Sequence, residues 1–354
     1  MDLFCHPEIS LVASTFQYFL DRNIHFTPEY IFQDIKESVD SIHRNHLLHR
    51  HIVQSIEDYL LPTAEDHGNG DYLNSSLHIK EFLTRLNQSG KNLFLITNSP
   101  FWFVNFGMSS LCGNDWANLF DLIICNARKP YFFTSKSKPF REFNTRTNSK
   151  SWEKVNSFKK GNIYYEGNLF DMLQHTGWPR NGVLYFGDHI YGDLAEPFLK
   201  HGWRTGAILT EIEQEVSIVN KKEYQRNILW QTTLEKLIEK SMFVENENFL
   251  TAQTSSTSSF HSLSMPELRN IWLKERDVLR EDAKNLFNPY FGSVFRTTTN
   301  PSFFSRRLAR FADIYTSNVT NLLNYPVDCH FIPRRSSLPH EHSFNKFEIE
   351  VESV

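Results

Sequence analysis

The sequence predicts an α/β fold: a parallel sheet with helices on both faces. Three observations predict it. Four short apolar runs, NLFLIT (Asn92–Thr97), DLIIC (Asp121–Cys125), VLYFG (Val183–Gly187) and RTGAIL (Arg204–Leu209), show no polar alternation, as expected of strands buried on both faces. Helical patterns such as Asp193–His201 fall between some of them, the order that builds strand–helix–strand units. Three of the four runs empty into polar groups: Thr97, Asn98 and Ser99; Arg128 and Lys129; and Asp188 with Asp193. Chemistry in such sheets gathers at the carboxyl ends of the strands.

Taken in order, the first stretch of the chain reads as mainly helical. Thr27 followed by Pro28 suits an N-cap and first helical residue, and Ile31, Ile35, Val39 and Ile42 then share one helix face. A second helical run, His51–Leu61, stops at Pro62, and HGNGD after it reads as a loop. From about Ile79 a helix ending near Gly90 leads into the first strand. Beyond the sheet, TAQTSSTSSFHSLS (Thr251–Ser264) is Ser/Thr-rich and reads as a flexible linker. Two long helical patterns follow, Pro266–Phe287 and Phe303–Tyr325, the second with Phe304, Leu308, Phe311, Tyr315, Val319 and Leu322 on one face. The organisation expected is a helical cap portion (1–78), the α/β core (79–245), a linker (246–264) and a helical C-terminal extension packing on the core (265–354).

Composition narrows the function. A formal net charge of −4 gives no pull toward nucleic acid or an anionic membrane. No apolar run approaches the ~18 residues of a membrane span, and MDLFCHPEIS has no basic-then-apolar leader pattern. Cys5, Cys112, Cys125 and Cys329 contain no CxxC pair, which suits reduced thiols in a cytoplasmic setting.

The strand ends carry the chemistry. Hydroxyls of Thr97 or Ser99 can donate to a phosphoryl oxygen. Lys129 offers a compact positive charge, and Asp188 and Asp193 offer the hard oxygens that suit magnesium. Singly, each has a plainer reading as a turn, a surface lysine or a helix cap. Their order on successive strands points instead to a site that holds and neutralises a phosphoryl group.

The strings LITNSPFWFVNFGM, NARKPYFF, YFGDHIYGDL and HGWRT, with NPYFGSVFRTTTNPSFFSRRLARFADIYTSNVTNLLNYPVD further on, resemble the cytosolic purine 5′-nucleotidase family, in its 5′-nucleotidase domain-containing branch, within the haloacid-dehalogenase phosphatase superfamily. The resemblance implies a Rossmann-like haloacid-dehalogenase sheet, a cap remnant at the N-terminus and magnesium-dependent hydrolysis of a nucleoside 5′-monophosphate. It implies that Thr97 and Lys129 are catalytic, that Asn98 and Ser99 line the substrate pocket, and that Asp188 and Asp193 serve the metal. In the cap, Lys36, Asp40 and His43 fall where the family binds the nucleoside, and His49 stands where the purine enzymes carry a Lys. Tyr191 matches an aromatic position used for effector binding.

One part is missing. The superfamily attacks phosphate with the first Asp of a DxDxT sequence at the end of a central first strand, and the second Asp is its general acid and base. No DxD stands upstream of Thr97; Asp2, Glu8, Asp21, Asp34, Asp40, Asp58 and Asp66 lack the strand and the pairing. The central strand, due between those ending at Thr97 and Gly187, is thus unaccounted for. Three explanations stay open: it precedes this chain, the chain is a short form that has lost hydrolysis, or another segment fills the slot. The alternative function is a catalytically silent binding or scaffold protein. A preceding segment could also redirect the protein to mitochondria, and a homo-oligomer is compatible with this reading.

The remaining features read more plainly. His46 and His49, at i and i+3, lack a Cys or acid at zinc-ligand spacing. Arg306, Arg307 and Arg310 suit the wet face of an amphipathic helix, and Phe101, Trp102 and Phe103 suit core packing.

Overall fold

The N-terminal part, in a computed structural model that describes residues 3–56, 73–251 and 264–333, is helical: α1 (Cys5–Asp21), α2 (Pro28–Arg44) and α3 (Leu47–Gln54). α2 opens at Pro28 behind an extended Thr27, and Ile35 is its buried residue. The second helix starts earlier than its sequence pattern suggests. His46 adopts a left-handed conformation (φ 55°), which breaks the run from α2, and α3 begins at the next residue. The HGNGD loop and the last residues of the expected His51–Leu61 helix lie outside the described residues.

The core follows α4 (Leu73–Gln88) as β1 (Phe94–Ile96), α5 (Phe101–Cys112), β2 (Leu122–Cys125), α6 (Tyr131–Thr134), β3 (Phe140–Asn144), β4 (Ser149–Lys150), β5 (Ile163–Glu166), α7 (Leu169–Thr176), β6 (Leu184–Gly187), α8 (Glu196–His201) and β7 (Arg204–Ile208). β1, β2 and β5 run parallel, and the antiparallel β3 and β4 extend them in the order β1-β2-β5-β3-β4. Alternate residues of β2 and β5 serve two buried layers. Leu122, Ile124 and Tyr164 face Phe132, Phe133, Leu169 and Met172. Ile123, Cys125, Ile163 and Tyr165 face Cys112, Trp116, Phe120 and Phe143. The fold is therefore the α/β class expected, with helices on both faces of a mainly parallel sheet.

A second sheet has the order β6-β7-β8, all parallel, where β8 is Ile314–Thr316. This corrects the expected Phe303–Tyr325 helix. α12 (Phe303–Phe311) buries Phe304, Leu308 and Phe311 as its periodicity demands, then stops. The Thr205 hydroxyl donates to the Phe311 carbonyl, and Asp313 accepts from the Thr205 N–H at 2.9 Å and from Arg204 at 2.8 Å. These contacts draw the chain out beside β7. A 3₁₀ turn over Val319–Asn324 follows, and Arg85 of α4 donates to the Leu323 and Tyr325 carbonyls, each at 2.8 Å.

Between the sheets and this C-terminal segment lie α9 (Ile212–Val219), α10 (Lys222–Thr251) and α11 (Met265–Asn285). α10 continues into the start of the expected linker, and α11 restarts behind a Ser264–Glu267 capping box. The rest of the Ser/Thr-rich stretch, 252–263, lies outside the described residues. Among the described residues no helix is long and apolar enough to cross a membrane.

β1 and β6 each stand at the edge of a sheet. They do not pair, although one apolar layer containing Ile96, Val183, Tyr185 and Trp203 joins the two sheets.

Candidate functional site

Two strand-end loops are zipped by backbone hydrogen bonds. The Thr97 N–H donates to Ile124 O (2.9 Å), the Ala127 N–H to Thr97 O (2.9 Å) and the Asn126 N–H to Ser99 O (3.1 Å). Thr97 Oγ1 accepts from the Ser99 N–H at 3.1 Å, so it caps its own turn. Asn98 reaches across: its Nδ2 donates to Lys129 O (3.1 Å) and its Oδ1 accepts from the Lys129 N–H (2.6 Å). Asn126 and Arg128 both have positive φ (48° and 62°), an uncommon conformation for residues with a Cβ.

The Lys129 ammonium lies 2.6 Å from Asp193 Oδ1 and 3.3 Å from the Tyr185 hydroxyl. Its side chain is 14% exposed and that of Asp193 only 5%. Asp193 sits in a π-helical turn over Ile190–Ala195, not in an ordinary α-helix start, with its N–H on His189 O at 2.8 Å. The wider turn places the carboxylate beneath the end of β6. A Cβ at Gly187 would overlap the Asp193 side chain, so only glycine fits there.

Asp188 stands at the exposed rim. Its carboxyl is pushed above the ordinary carboxylate range, first by the surrounding protein and then by the Asp193 charge, with Lys129 opposing. The buried Tyr185 hydroxyl lies 3.4 Å from Asp193 Oδ1 and 3.5 Å from Ile96 O. Burial, then the charges of Asp193 and Asp188, push its phenol well above its usual range, so it stays neutral.

The cap meets the core through α3. His49 Nε2 lies 3.4 Å from Ser99 Oγ, and its ring packs edge-on against Phe103, 4.5 Å between centroids. Burial, then the neighbouring His46 and His43, lower the His49 pKa. Lys36, Asp40 and His43 stand exposed on α2.

The structure thus brings Asn98, Lys129, Asp188 and Asp193 to one place, with Thr97 and Ser99 in the adjoining turn and His49 against Ser99. Lys36 and Asp40, exposed on α2, are not among the residues that these contacts bring together. Sequence reasoning missed Tyr185, which reads as a core residue of a buried strand, and Glu166. Glu166 has a φ of 60°, is bonded to Lys150 (2.9 Å) and lies 3.6 Å from Arg128. Burial pushes its carboxyl up, but the Lys150 bond and the charges of Lys150, Arg128 and Lys138 outweigh it and hold the pKa down.

Among the described residues no three His, Cys, Asp or Glu side chains group as a metal cage. The available donor set is two carboxylates of one loop, one of them already on Lys129. Magnesium characteristically takes one or two carboxylates and completes its shell with water and phosphate oxygens, so this pair fits it. The like-charge crowding at Asp188 is what a bound cation would relieve.

The fold and site thus define an α/β protein in which a lysine and two acids converge at the ends of its strands. Residues 1–343 match the profile of the 5' nucleotidase family, and the chain belongs to that family. It is 41% identical over 341 residues to 5'-nucleotidase domain-containing protein 2 of Homo sapiens and likewise to that of Rattus norvegicus. A 5'-nucleotidase domain-containing protein of Dictyostelium discoideum is 37% identical over 351 residues. These alignments cover 96–97% of this chain but only 60%, 56% and 54% of the three relatives.

Proposed function

We propose that this chain carries the phosphate- and magnesium-holding part of a 5′-nucleotidase site, whose reaction is hydrolysis of a nucleoside 5′-monophosphate to nucleoside and phosphate. The observation that carries the reading is the convergence of three strand ends on the Lys129–Asp193 ion pair, with Asp188 beside it and Asn98 bonded to Lys129. In this reading Lys129 neutralises the phosphoryl oxygens and Thr97 donates its hydroxyl to one of them. Asp188 and Asp193 hold magnesium, which supplies charge neutralisation and orientation to the phosphate. Asn98, Ser99 and His49 border the pocket, and Lys36, Asp40 and His43 of α2 form the nucleoside side.

The attacking carboxylate and the general acid are assigned to a further strand between β1 and β6. The two facing edges of these strands support that assignment. On the described residues alone we expect very poor turnover. This chain by itself then acts as a nucleotide- or phosphate-binding protein, the second reading, which the missing DxD favours.

A phosphatase assay with a nucleoside monophosphate and magnesium tests the reading, together with calorimetry of inorganic phosphate. Magnesium-dependent phosphate binding that Asp188→Asn weakens, with negligible turnover, is expected. Robust turnover that Asp188→Asn abolishes would overturn the assignment of the nucleophile to another strand. Absence of any phosphate binding would overturn the site itself.

A further inference from the structure

The family resemblance gives Asn98 a place beside the substrate, but both ends of its amide are engaged within the protein. Oδ1 takes the Lys129 N–H at 2.6 Å, and Nδ2 gives a hydrogen bond to the Lys129 carbonyl at 3.1 Å. One planar group therefore grips the backbone donor and acceptor of a single residue, as a neighbouring strand would. We infer that Asn98 is a positioning residue: its amide fixes the backbone of Lys129 and so delivers the ammonium to Asp193 and to the anion the site would hold. The second half of that statement rests on the proposed function; the first does not.

The local chain needs such a device. β2 ends at Cys125, and Lys129 comes after Asn126 and Arg128, two residues at positive φ. Outside the strand the ladder no longer sets the backbone direction, and a lysine side chain has ample rotamer freedom of its own. The backbone bonds at Thr97, Ser99, Asn126 and Ala127 bring the two loops together. They stop short of Lys129, however, and Asn98 bonds its backbone from the facing loop. The Lys129 ammonium, 2.6 Å from Asp193 and 3.3 Å from the Tyr185 hydroxyl, lies at the far end of that linkage. Charged groups facing it are Asp193 and Asp188 from the acid loop; Arg128 turns instead to Glu166.

The test uses the full chain and reads lysine reactivity. Brief acetylation with an N-hydroxysuccinimide ester, followed by peptide mass spectrometry, measures Lys129 against Lys150 and Lys160, which are ion-paired elsewhere with Glu166 and Asp121. In Asn98→Ala the acetylation rate of Lys129 should rise on the order of tenfold while Lys150 and Lys160 are unchanged, a shift in exposure of about 1.4 kcal/mol. Asn98→Asp keeps the acceptor for the Lys129 N–H and should give a smaller rise; it also carries the test if the alanine variant does not fold. An unchanged Lys129 rate, or equal rises at all three lysines, overturns the inference. In parallel, inorganic phosphate affinity with magnesium should fall in Asn98→Ala, and also in Lys129→Met. If the wild-type chain binds no phosphate, the proposed function fails while the labelling result still decides the role of Asn98.

Discussion

Removing the Lys129 charge tests the site through stability alone. The pair is close (2.6 Å) and poorly hydrated, its side chains 14% and 5% exposed. At an effective dielectric near 20 the gross attraction is about 6 kcal/mol, most of which the desolvation of both ions offsets. The net value of the pair is therefore small, but loss of one partner is costly. Lys129→Met leaves the Asp193 carboxylate buried with the Tyr185 hydroxyl at 3.4 Å and a long contact to the His189 N–H. Breaking a buried pair this way costs about 3–5 kcal/mol, and the partial exposure of Lys129 argues for about 3. Asp193→Asn should cost a similar amount by stranding the ammonium. Lys129→Met combined with Asp193→Asn removes both charges and should cost about 1 kcal/mol, far less than the sum. Urea unfolding of the four proteins, read from midpoints at constant m value, gives these differences. Single variants within 1 kcal/mol of wild type, or a double variant equal to the sum, would refute the buried coupling and the geometry built on it.

Three further outcomes follow from single contacts. The lowered pKa of His49 means its folded form resists protonation, so the stability it contributes is intact above its ordinary value near 6.5 and is lost as pH falls below it. Protection factors in α3, corrected for the intrinsic pH dependence of amide exchange, should fall on acidification, and His49→Gln should flatten that dependence. Arg85→Ala deletes two charge-assisted bonds to the Leu323 and Tyr325 carbonyls and should cost about 1–3 kcal/mol in thermal unfolding, with the largest exchange increase at Val319–Asn324. Burial pushes the Cys125 thiol up to about 12, so iodoacetamide at pH 8 should leave it unmodified in the folded chain while the half-buried Cys329 reacts.

What was legible in the sequence was what local pattern decides. β2 is visible as Leu-Ile-Ile-Cys because every residue of it is buried, and the acid loop is visible because Gly187 and Gly192 frame it. β5, Ile-Tyr-Tyr-Glu, is equally buried but flanked on both sides by Gly-Asn pairs that read as loop. β8 is hidden by a helical periodicity that the sequence supports; Thr205 and Asp313, distant in the chain from each other, decide otherwise. The same division runs through the site. Lys129, Asp188 and Asp193 follow from residue type at a strand end. The bonding of Asn98 to a residue 31 positions away depends on the pairing of two loops, which no local pattern encodes.

The edges of β1 and β6 follow the same logic of backbone satisfaction. On either side of β1, Leu93 and Thr97 hydrogen-bond to β2 and its flanks, so the alternation of a parallel ladder turns the N–H and C=O groups of Phe94 and Ile96 the other way. Ile96 is 6% exposed, and the contact its carbonyl makes on that side is the long one from the Tyr185 hydroxyl, 3.5 Å. At the start of β6 the Arg204 N–H donates to Val183 O, so Val183 and Tyr185 turn to β7 while Leu184 and Phe186 turn away from it. Each such group left without a partner costs about 1–3 kcal/mol where water cannot reach it. An extended strand entering there would satisfy both rows at once and place its carboxyl end beside Lys129 and Asp188. Under the proposed function, then, the strand that supplies the nucleophile and the strand that completes the sheet are the same segment. A peptide ending in the sequence strand-Asp-x-Asp-x-Thr should accordingly slow amide exchange at Phe94, Ile96, Leu184 and Phe186 together. Protection on only one of the two edges would separate the catalytic question from the structural one.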